Sequence, residues 1–187
     1  MGEQTGEMQE KASAKELSKQ LTAAYLEDAR TAHEHGKYVA YTTAVSPVEL
    51  FVAHDIIPIY PENHAVACLT KQMGTELSLA MEKRGYTSHL CAYARSDLGY
   101  RITGKSAMGG IPDPDFLLAC NAQCFTLTKW FEVLSRRYQV PLFVFDTPQW
   151  IHDPEARKEI LKSCVRELRE LIPSLEELTG KRYDYDR

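Results

Sequence analysis

The sequence predicts an α/β domain in which an open parallel sheet carries helices on both faces. Short apolar runs, typical of buried strands, alternate along the chain with segments whose apolar residues recur every three or four positions. The run at 115–120 is uninterrupted from Phe116 onward, which is typical of a strand covered on both sides. Strands separated by helices of these lengths favour the three-layer arrangement of Rossmann- and flavodoxin-like domains.

The first predicted helix follows a polar segment at 1–12, which we expect to be a flexible leader. Ser13 can cap this helix, small and apolar residues then share one stripe, and Gly36 stands where helices commonly end. Residues 38–42 follow as a buried strand. We expect residues 13–187 to form a single domain.

The next segment begins with Ser46 and Pro47, which favour the start of a helix. Glu49 has the spacing of a capping-box partner, so a short helix is expected up to about His54. Apolar runs and stripes then place, in order, a strand at 56–60, a polar loop at 61–64 and a helix at about 75–83.

The region 85–114 has no convincing periodicity, so it is predicted to be a long irregular connection, of the kind that is often functional. The strand at 115–120 is expected to lie in the centre of the sheet. A strongly amphipathic helix follows from Cys124 to Tyr138. After a strand at 141–145, the last helix is predicted at 154–171, with these residues buried: Ile160, Leu161, Cys164, Leu168 and Leu171.

The composition excludes several functional classes. The net charge is −4 and basic residues form only short clusters such as Arg136-Arg137, so neither a nucleic acid nor an anionic membrane is an expected partner. No apolar run approaches the roughly 20 residues that span a bilayer. The first 13 residues lack the apolar core of a signal peptide, which predicts a cytoplasmic protein. In that reducing compartment the five cysteines are not expected to form disulfides.

Two cysteines stand where α/β proteins bind ligands. Cys120 closes a strand and Cys124 lies in the first turn of the next helix, beyond the carboxyl end of the sheet, where the helix N-terminus favours a thiolate. Local physics alone still favours packing for Cys124, and the Cys-x-x-x-Cys spacing is a weak metal signal without a second pair. Cys91, in the irregular region, can reach the same edge. Cys68 and Cys164 are expected to be packing residues.

Three further side chains are candidates for chemistry. His64 is predicted to be exposed in the polar loop after a strand. Glu49 is either a functional carboxylate or only a helix cap. Ser46, three positions earlier, is the third candidate. His54 follows an apolar helical run, so we expect a structural role for it.

Several motifs together resemble one enzyme family, the iron–sulfur subunits of 2-hydroxyacyl-CoA dehydratases and benzoyl-CoA reductases. The resemblance extends over nearly the whole chain beyond residue 13. The matching segments are 46–53 (SPVELFVA), 57–64 (IPIYPENH), 90–99 (LCAYARSDLG), 114–124 (PDFLLACNAQC) and 179–186 (TGKRYDYD).

The resemblance implies a two-domain subunit, of which this chain is the first domain, and a [4Fe–4S] cluster on three cysteines. Cys91 and Cys124 match the two metal ligands that the first domain carries, whereas Cys120 belongs to a subgroup variant of the motif. The third ligand is expected outside this chain, so the chain alone is expected to be inactive. Ser46, Glu49 and His64 would orient the substrate or move protons.

The implied reaction is radical chemistry on an acyl-CoA thioester. An ATP-dependent iron–sulfur activator protein supplies one electron, and either dehydration or stepwise ring reduction follows. A homologous sister subunit is the expected partner, docked through the loops near Cys91 and 99–110. Two alternatives remain: a partner domain that holds no complete cluster, and a ligand-binding α/β domain whose cysteines only pack.

Overall fold

The computed structural model describes residues 13–148 and 152–186, so the predicted leader at 1–12 lies outside the described residues. Within them, four parallel strands form one sheet in the order β2-β1-β3-β4. The strands are β1 (Tyr38–Thr42), β2 (Ile56–Ile59), β3 (Phe116–Cys120) and β4 (Leu142–Phe145). The predicted α/β class with an open parallel sheet is confirmed, and β3 is central, between β1 and β4.

Seven α-helices surround the sheet in the described part of the chain. They are α1 (Ala14–Arg30), α2 (Glu49–Val52), α3 (Pro61–Thr70), α4 (Gly74–Glu82), α5 (Ala92–Thr103), α6 (Phe125–Tyr138) and α7 (Pro154–Thr179). A short 3₁₀ turn, Ala32–His35, separates α1 from β1. None of these helices combines the length and hydropathy needed to cross a membrane.

Strands β1, β2 and β3 are buried on both faces, whereas β4 is only partly covered, and successive residues alternate between two apolar clusters. On one face Tyr41 and Leu117 pack with residues of α1, α3, α4, α5 and α6. On the other face Phe116 and Leu118 pack with α2 and with Leu175 of α7. This alternation follows from the two-residue period of a strand.

The order of the strands creates a switch point between β1 and β3. The chain leaves β1 through α2, on one face, to reach β2 at one side of the sheet. It leaves β3 through α6, on the opposite face, to reach β4 at the other side. Open α/β sheets bind their ligands outside the carboxyl ends of the strands at such a point.

Two sequence predictions about connections are wrong. The segment 61–64 is the first turn of α3, with Pro61 at a position that suits the start of a helix. The region 85–114 contains α5, which includes the first part, 99–103, of the supposed docking loop. The periodicity of α5 was missed because its buried side includes Ser96, Asp97 and Gly99 rather than large apolar residues.

The last helix is longer than predicted and less buried at its start. Helix α7 reaches Thr179, and its buried residues all lie in the second half, from Leu171 onward. Leu161 is 53% exposed, and Ile160, Cys164 and Leu168 are only half-buried. The predicted burial of this stripe is therefore wrong for all four, because within the described residues the sheet reaches only the second half of α7.

Candidate functional site

The loops that follow β1 and β3 are bound together at the switch point. The Thr43 backbone N–H donates to the carbonyl of Leu118 at 3.3 Å. In return the Cys120 backbone N–H donates to the Thr43 hydroxyl at 2.9 Å, although the two residues are 77 positions apart. These contacts join the two loops at the carboxyl edge of the sheet, the region that we call the crevice.

Ser46 lies in the loop after β1, with its hydroxyl held 2.9 Å from the hydroxyl of Thr43. It is only 8% exposed. The predicted capping box does not form: Val48 is the N-cap of α2, and no side chain caps that helix. Glu49 is therefore free of the cap role and stands exposed at the start of α2.

A second carboxylate, which sequence reasoning missed, faces the same loop. Glu62, in the first turn of α3, accepts the Ala44 backbone N–H at 2.8 Å. The charge of Glu49 also acts in this region, because the pKa of Tyr60 is raised by burial and, to a lesser degree, by the negative charge of Glu49. The signal for Glu62 was Pro61, because proline followed by an acidic residue is typical of a helix start.

His64 is not the exposed loop residue that the sequence predicted, because it lies inside α3 and is 1% exposed. Its Nε2 lies 2.8 Å from the hydroxyl of Ser106, and its Nδ1 lies 3.5 Å from a carboxylate oxygen of Asp97. Ser106 already accepts the backbone N–H groups of Met108 and Gly110, so its own proton points at Nε2. The Nδ1 atom makes no hydrogen bond within the described residues, although the Asp97 carboxylate is close to it. His64 holds the turn at 106–111 against α3.

Asp97 is the centre of a buried polar cluster behind the crevice. It accepts hydrogen bonds from Arg101 at 3.0 Å and from the Trp130 indole at 3.1 Å. Arg101 also donates to the hydroxyls of Tyr41 and Tyr138. Burial alone would lower the pKa of Arg101, but the Asp97 carboxylate reverses this, and the net pKa is raised. The pKa of Tyr41 is raised chiefly by burial.

The two predicted metal ligands occupy equivalent positions on two helices. Cys91 is the N-cap of α5 and Cys124 is the N-cap of α6, and both are exposed. At neither helix start does a side chain satisfy the free N–H groups. Such ends favour a negatively charged sulfur.

Contacts between α5 and α6 show that both cysteines lie at the same end. Asp97 touches Trp130, and each residue lies six positions after its cysteine. Farther along, Arg101 of α5 touches Tyr138 of α6, so the helices run in the same direction. Six helical residues span about 9 Å, so both N-termini stand one and a half turns above this shared contact. Since Cys124 follows β3, Cys91 is also at the carboxyl edge of the sheet.

The other cysteines are placed differently. Cys120 is buried at the end of β3, with its sulfur 3.5 Å from the Thr147 hydroxyl. Cys68 is buried beside His64, as expected for packing, and Cys164 is half-buried on α7.

The exposed thiols of Cys91 and Cys124 fit the thiolate chemistry of iron–sulfur ligation. In the part of the chain that the structure describes, no three His, Cys, Asp or Glu residues are grouped closely enough to hold a metal ion. The fit therefore concerns two of the ligands, not a complete set.

Comparison with known proteins connects this arrangement to one family. The family model described as 2-hydroxyglutaryl-CoA dehydratase, D-component, matches residues 43–187. The (R)-2-hydroxyisocaproyl-CoA dehydratase alpha subunit of Clostridioides difficile is 35% identical, over 95% of this chain and 43% of its own length. The (R)-phenyllactyl-CoA dehydratase alpha subunit of Clostridium sporogenes is 30% identical, over 100% of this chain and 46% of its own.

A relative with a different reaction is similar as well. One subunit of the benzoyl-CoA reductase of Thauera aromatica is 31% identical, over 74% of this chain and 33% of its own length. The chain thus spans less than half the length of these curated relatives.

Proposed function

The chain belongs to the 2-hydroxyglutaryl-CoA dehydratase D-component family, and from this premise we propose that it is part of an acyl-CoA-handling [4Fe–4S] enzyme subunit. The proposed reaction is radical dehydration of a 2-hydroxyacyl-CoA. The observation that carries the proposal is the placement of Cys91 and Cys124 as exposed N-caps of two helices that run in the same direction. A benzoyl-CoA-type ring reduction is the second candidate, favoured by the similarity to a benzoyl-CoA reductase.

Cys91 and Cys124 would hold two irons of the cluster, with the third protein ligand supplied from outside this chain. When bound, such a cluster supplies a low-potential electron and an iron that can act as a Lewis acid toward a carbonyl oxygen. The buried position of Cys120, beside Thr147, favours packing over ligation.

The chain's own residues would orient the substrate and move protons. The Ser46 hydroxyl is fixed by Thr43, which prepares it to hydrogen-bond an oxygen atom at the crevice. The exposed Glu49 carboxylate would accept a proton. His64 acts by positioning, since its two ring nitrogens face Ser106 and Asp97.

The proposed partners are an acyl-CoA substrate, a homologous sister subunit and an ATP-dependent iron–sulfur activator. The sister subunit is supported by the relatives, which are named as alpha subunits of dehydratases.

The test is anaerobic purification of the protein with its sister subunit, followed by iron and sulfide analysis and an activity assay. With reduced activator and ATP, we expect a 2-hydroxyacyl-CoA to lose water and give the 2-enoyl-CoA. Consumption of benzoyl-CoA instead would favour the reductase. A folded complex with neither iron nor turnover would contradict both and favour a partner domain that holds no complete cluster.

A further inference from the structure

A cavity of about 340 Å³ opens beside the crevice, between α1 and the carboxyl end of β2. Its walls are mainly apolar: Leu21 and Leu26 come from α1, Ile59 ends β2, and Met108 and Ile111 close the opposite side. Polar groups come from α1 and from the junction of β2 with α3, where Tyr60 and Asn63 line the space. A volume above roughly 300 Å³ with apolar walls and few polar groups is typical of small-molecule sites.

Hydrogen bonds hold the wall at 106–111 in place. Arg30 of α1 donates to the carbonyls of Met108 and Gly110, both at 3.2 Å. From the other side, Ser106 accepts the N–H groups of the same two residues and is anchored on His64. The wall that carries Met108 is therefore tied to both α1 and α3, and the cavity is preformed.

The cavity adjoins the groups already assigned to the crevice. Tyr60, which lines the cavity, lies close enough to Glu49 for the carboxylate to raise the pKa of Tyr60, after burial. Tyr25 and Tyr60 both line the cavity, so its lining extends from α1 to the junction of β2 with α3. Leu21, on the outer side of the cavity, is 62% exposed. Part of the apolar lining is therefore in contact with solvent.

We propose that this cavity receives the acyl group of the thioester, and that Leu21, Ile59 and Met108 select its length and shape. The inference rests on the proposed function, because the crevice at Glu49 is then where the thioester reacts. Apolar walls recognise an alkyl or aryl group by removing it from water. Binding of the acyl group would also cover the exposed parts of Leu21 and Tyr25.

The experiment measures binding of acetyl-, butyryl-, hexanoyl- and octanoyl-CoA by calorimetry, using the complex of this protein with its sister subunit. Each buried methylene should tighten binding up to about fourfold, the equivalent of about 0.8 kcal/mol, until the cavity is full. Leu21→Asp should weaken hexanoyl-CoA binding at least tenfold and acetyl-CoA binding much less, because an acetyl group has only one methyl to bury. Leu161→Asp is the matched control, because Leu161 is similarly exposed on the distant helix α7, and it should change nothing.

The outcomes separate this inference from the proposed function. Affinity that does not depend on chain length, no binding of any acyl-CoA, or chain-length dependence that survives Leu21→Asp would overturn the cavity assignment. A chain-length dependence that is lost in Leu21→Asp supports it even if the complex holds no iron and turns nothing over, in which case only the proposed reaction fails.

Discussion

Asp97 contacts residues of three helices in the protein interior behind the crevice. It has no solvent exposure, and its carboxylate joins Arg101 of its own helix to Trp130 of α6 and faces His64 of α3. A buried carboxylate is expensive to desolvate, and only good geometry with an opposite charge offsets that cost. The opposite charge comes from Arg101, whose side chain is only 3% exposed.

We expect Asp97→Asn to lower the free energy of unfolding by about 3–5 kcal/mol, because it leaves the Arg101 charge buried without its counterion. Urea denaturation followed by circular dichroism measures this loss. The control is Glu76→Gln, which breaks the exposed ion pair with Lys105 and should cost at most about 1 kcal/mol. Equal losses of unfolding free energy in the two variants would show that the buried Asp97–Arg101 pair matters no more for stability than an exposed ion pair.

At the scale of helices, α4 and α5 approach each other at Gly99. A Cβ atom at this position would overlap the backbone of Leu77 in α4, which cannot move aside. A glycine inside a helix costs about 1 kcal/mol relative to alanine, so the close packing of α4 and α5 is what this residue permits.

Gly99→Ala should therefore destabilise the protein by about 1–3 kcal/mol, despite the better helix propensity of alanine. Gly74→Ala is the matched control, since its Cβ would meet only the end of the Leu69 side chain, which can rotate away. Thermal unfolding of both variants tests the difference. A Gly99→Ala protein as stable as the wild type would mean that the two helices separate easily.

Helix α7 divides into a half that belongs to the core and a half that does not. Leu175 is fully buried against the sheet, whereas Leu161, 14 positions earlier on nearly the same side of the helix, is 53% exposed. Leu175→Ala should cost about 2–5 kcal/mol and Leu161→Ala less than about 0.5 kcal/mol in urea unfolding. Similar losses would contradict the division of the helix.

For the whole molecule, buried tyrosines set the limit of stability at alkaline pH. Burial raises the pKa of the buried Tyr41 and of the half-buried Tyr60 and Tyr138 above the ordinary value of 10.0. Between the unfolded and folded pKa values, the folded protein keeps these protons while the unfolded chain releases them. Their contribution to stability is thus complete below about pH 10 and is lost as the pH rises further.

The urea midpoint should accordingly fall steeply above pH 10. Absorbance at 295 nm should show that, at about pH 11, the folded protein ionises clearly fewer of its ten tyrosines than the urea-unfolded chain does. Tyr185→Phe is the control, because Tyr185 is 79% exposed and its replacement should leave the fall of the urea midpoint unchanged. Equal ionisation of the folded and the urea-unfolded protein at about pH 11, with the fold intact, would contradict the burial of Tyr41.

The sequence predicted the sheet well and the polar interior poorly. Strands β1 and β3 were found because their apolar runs are uninterrupted. Helix α5 was missed because its buried side carries Asp97 and Gly99 rather than large apolar residues. Their presence is explained by contacts with Trp130 and Leu77, which lie on other helices. Because α5 was missed, the sequence placed Cys124 at a helix start but left Cys91 in an irregular region, and the role of Cys91 as a ligand came only from the family resemblance.

The central claim is that Cys91 and Cys124 hold the cluster, and the most direct test is the iron content of cysteine variants. Wild-type protein and Cys91→Ser, Cys124→Ser, Cys120→Ser and Cys164→Ser variants would be purified anaerobically with the sister subunit, and iron measured per complex. We expect Cys91→Ser and Cys124→Ser each to abolish bound iron, and Cys120→Ser and Cys164→Ser to retain it. Full iron in either of the first two variants, or its loss in Cys120→Ser, would contradict this assignment of the ligands.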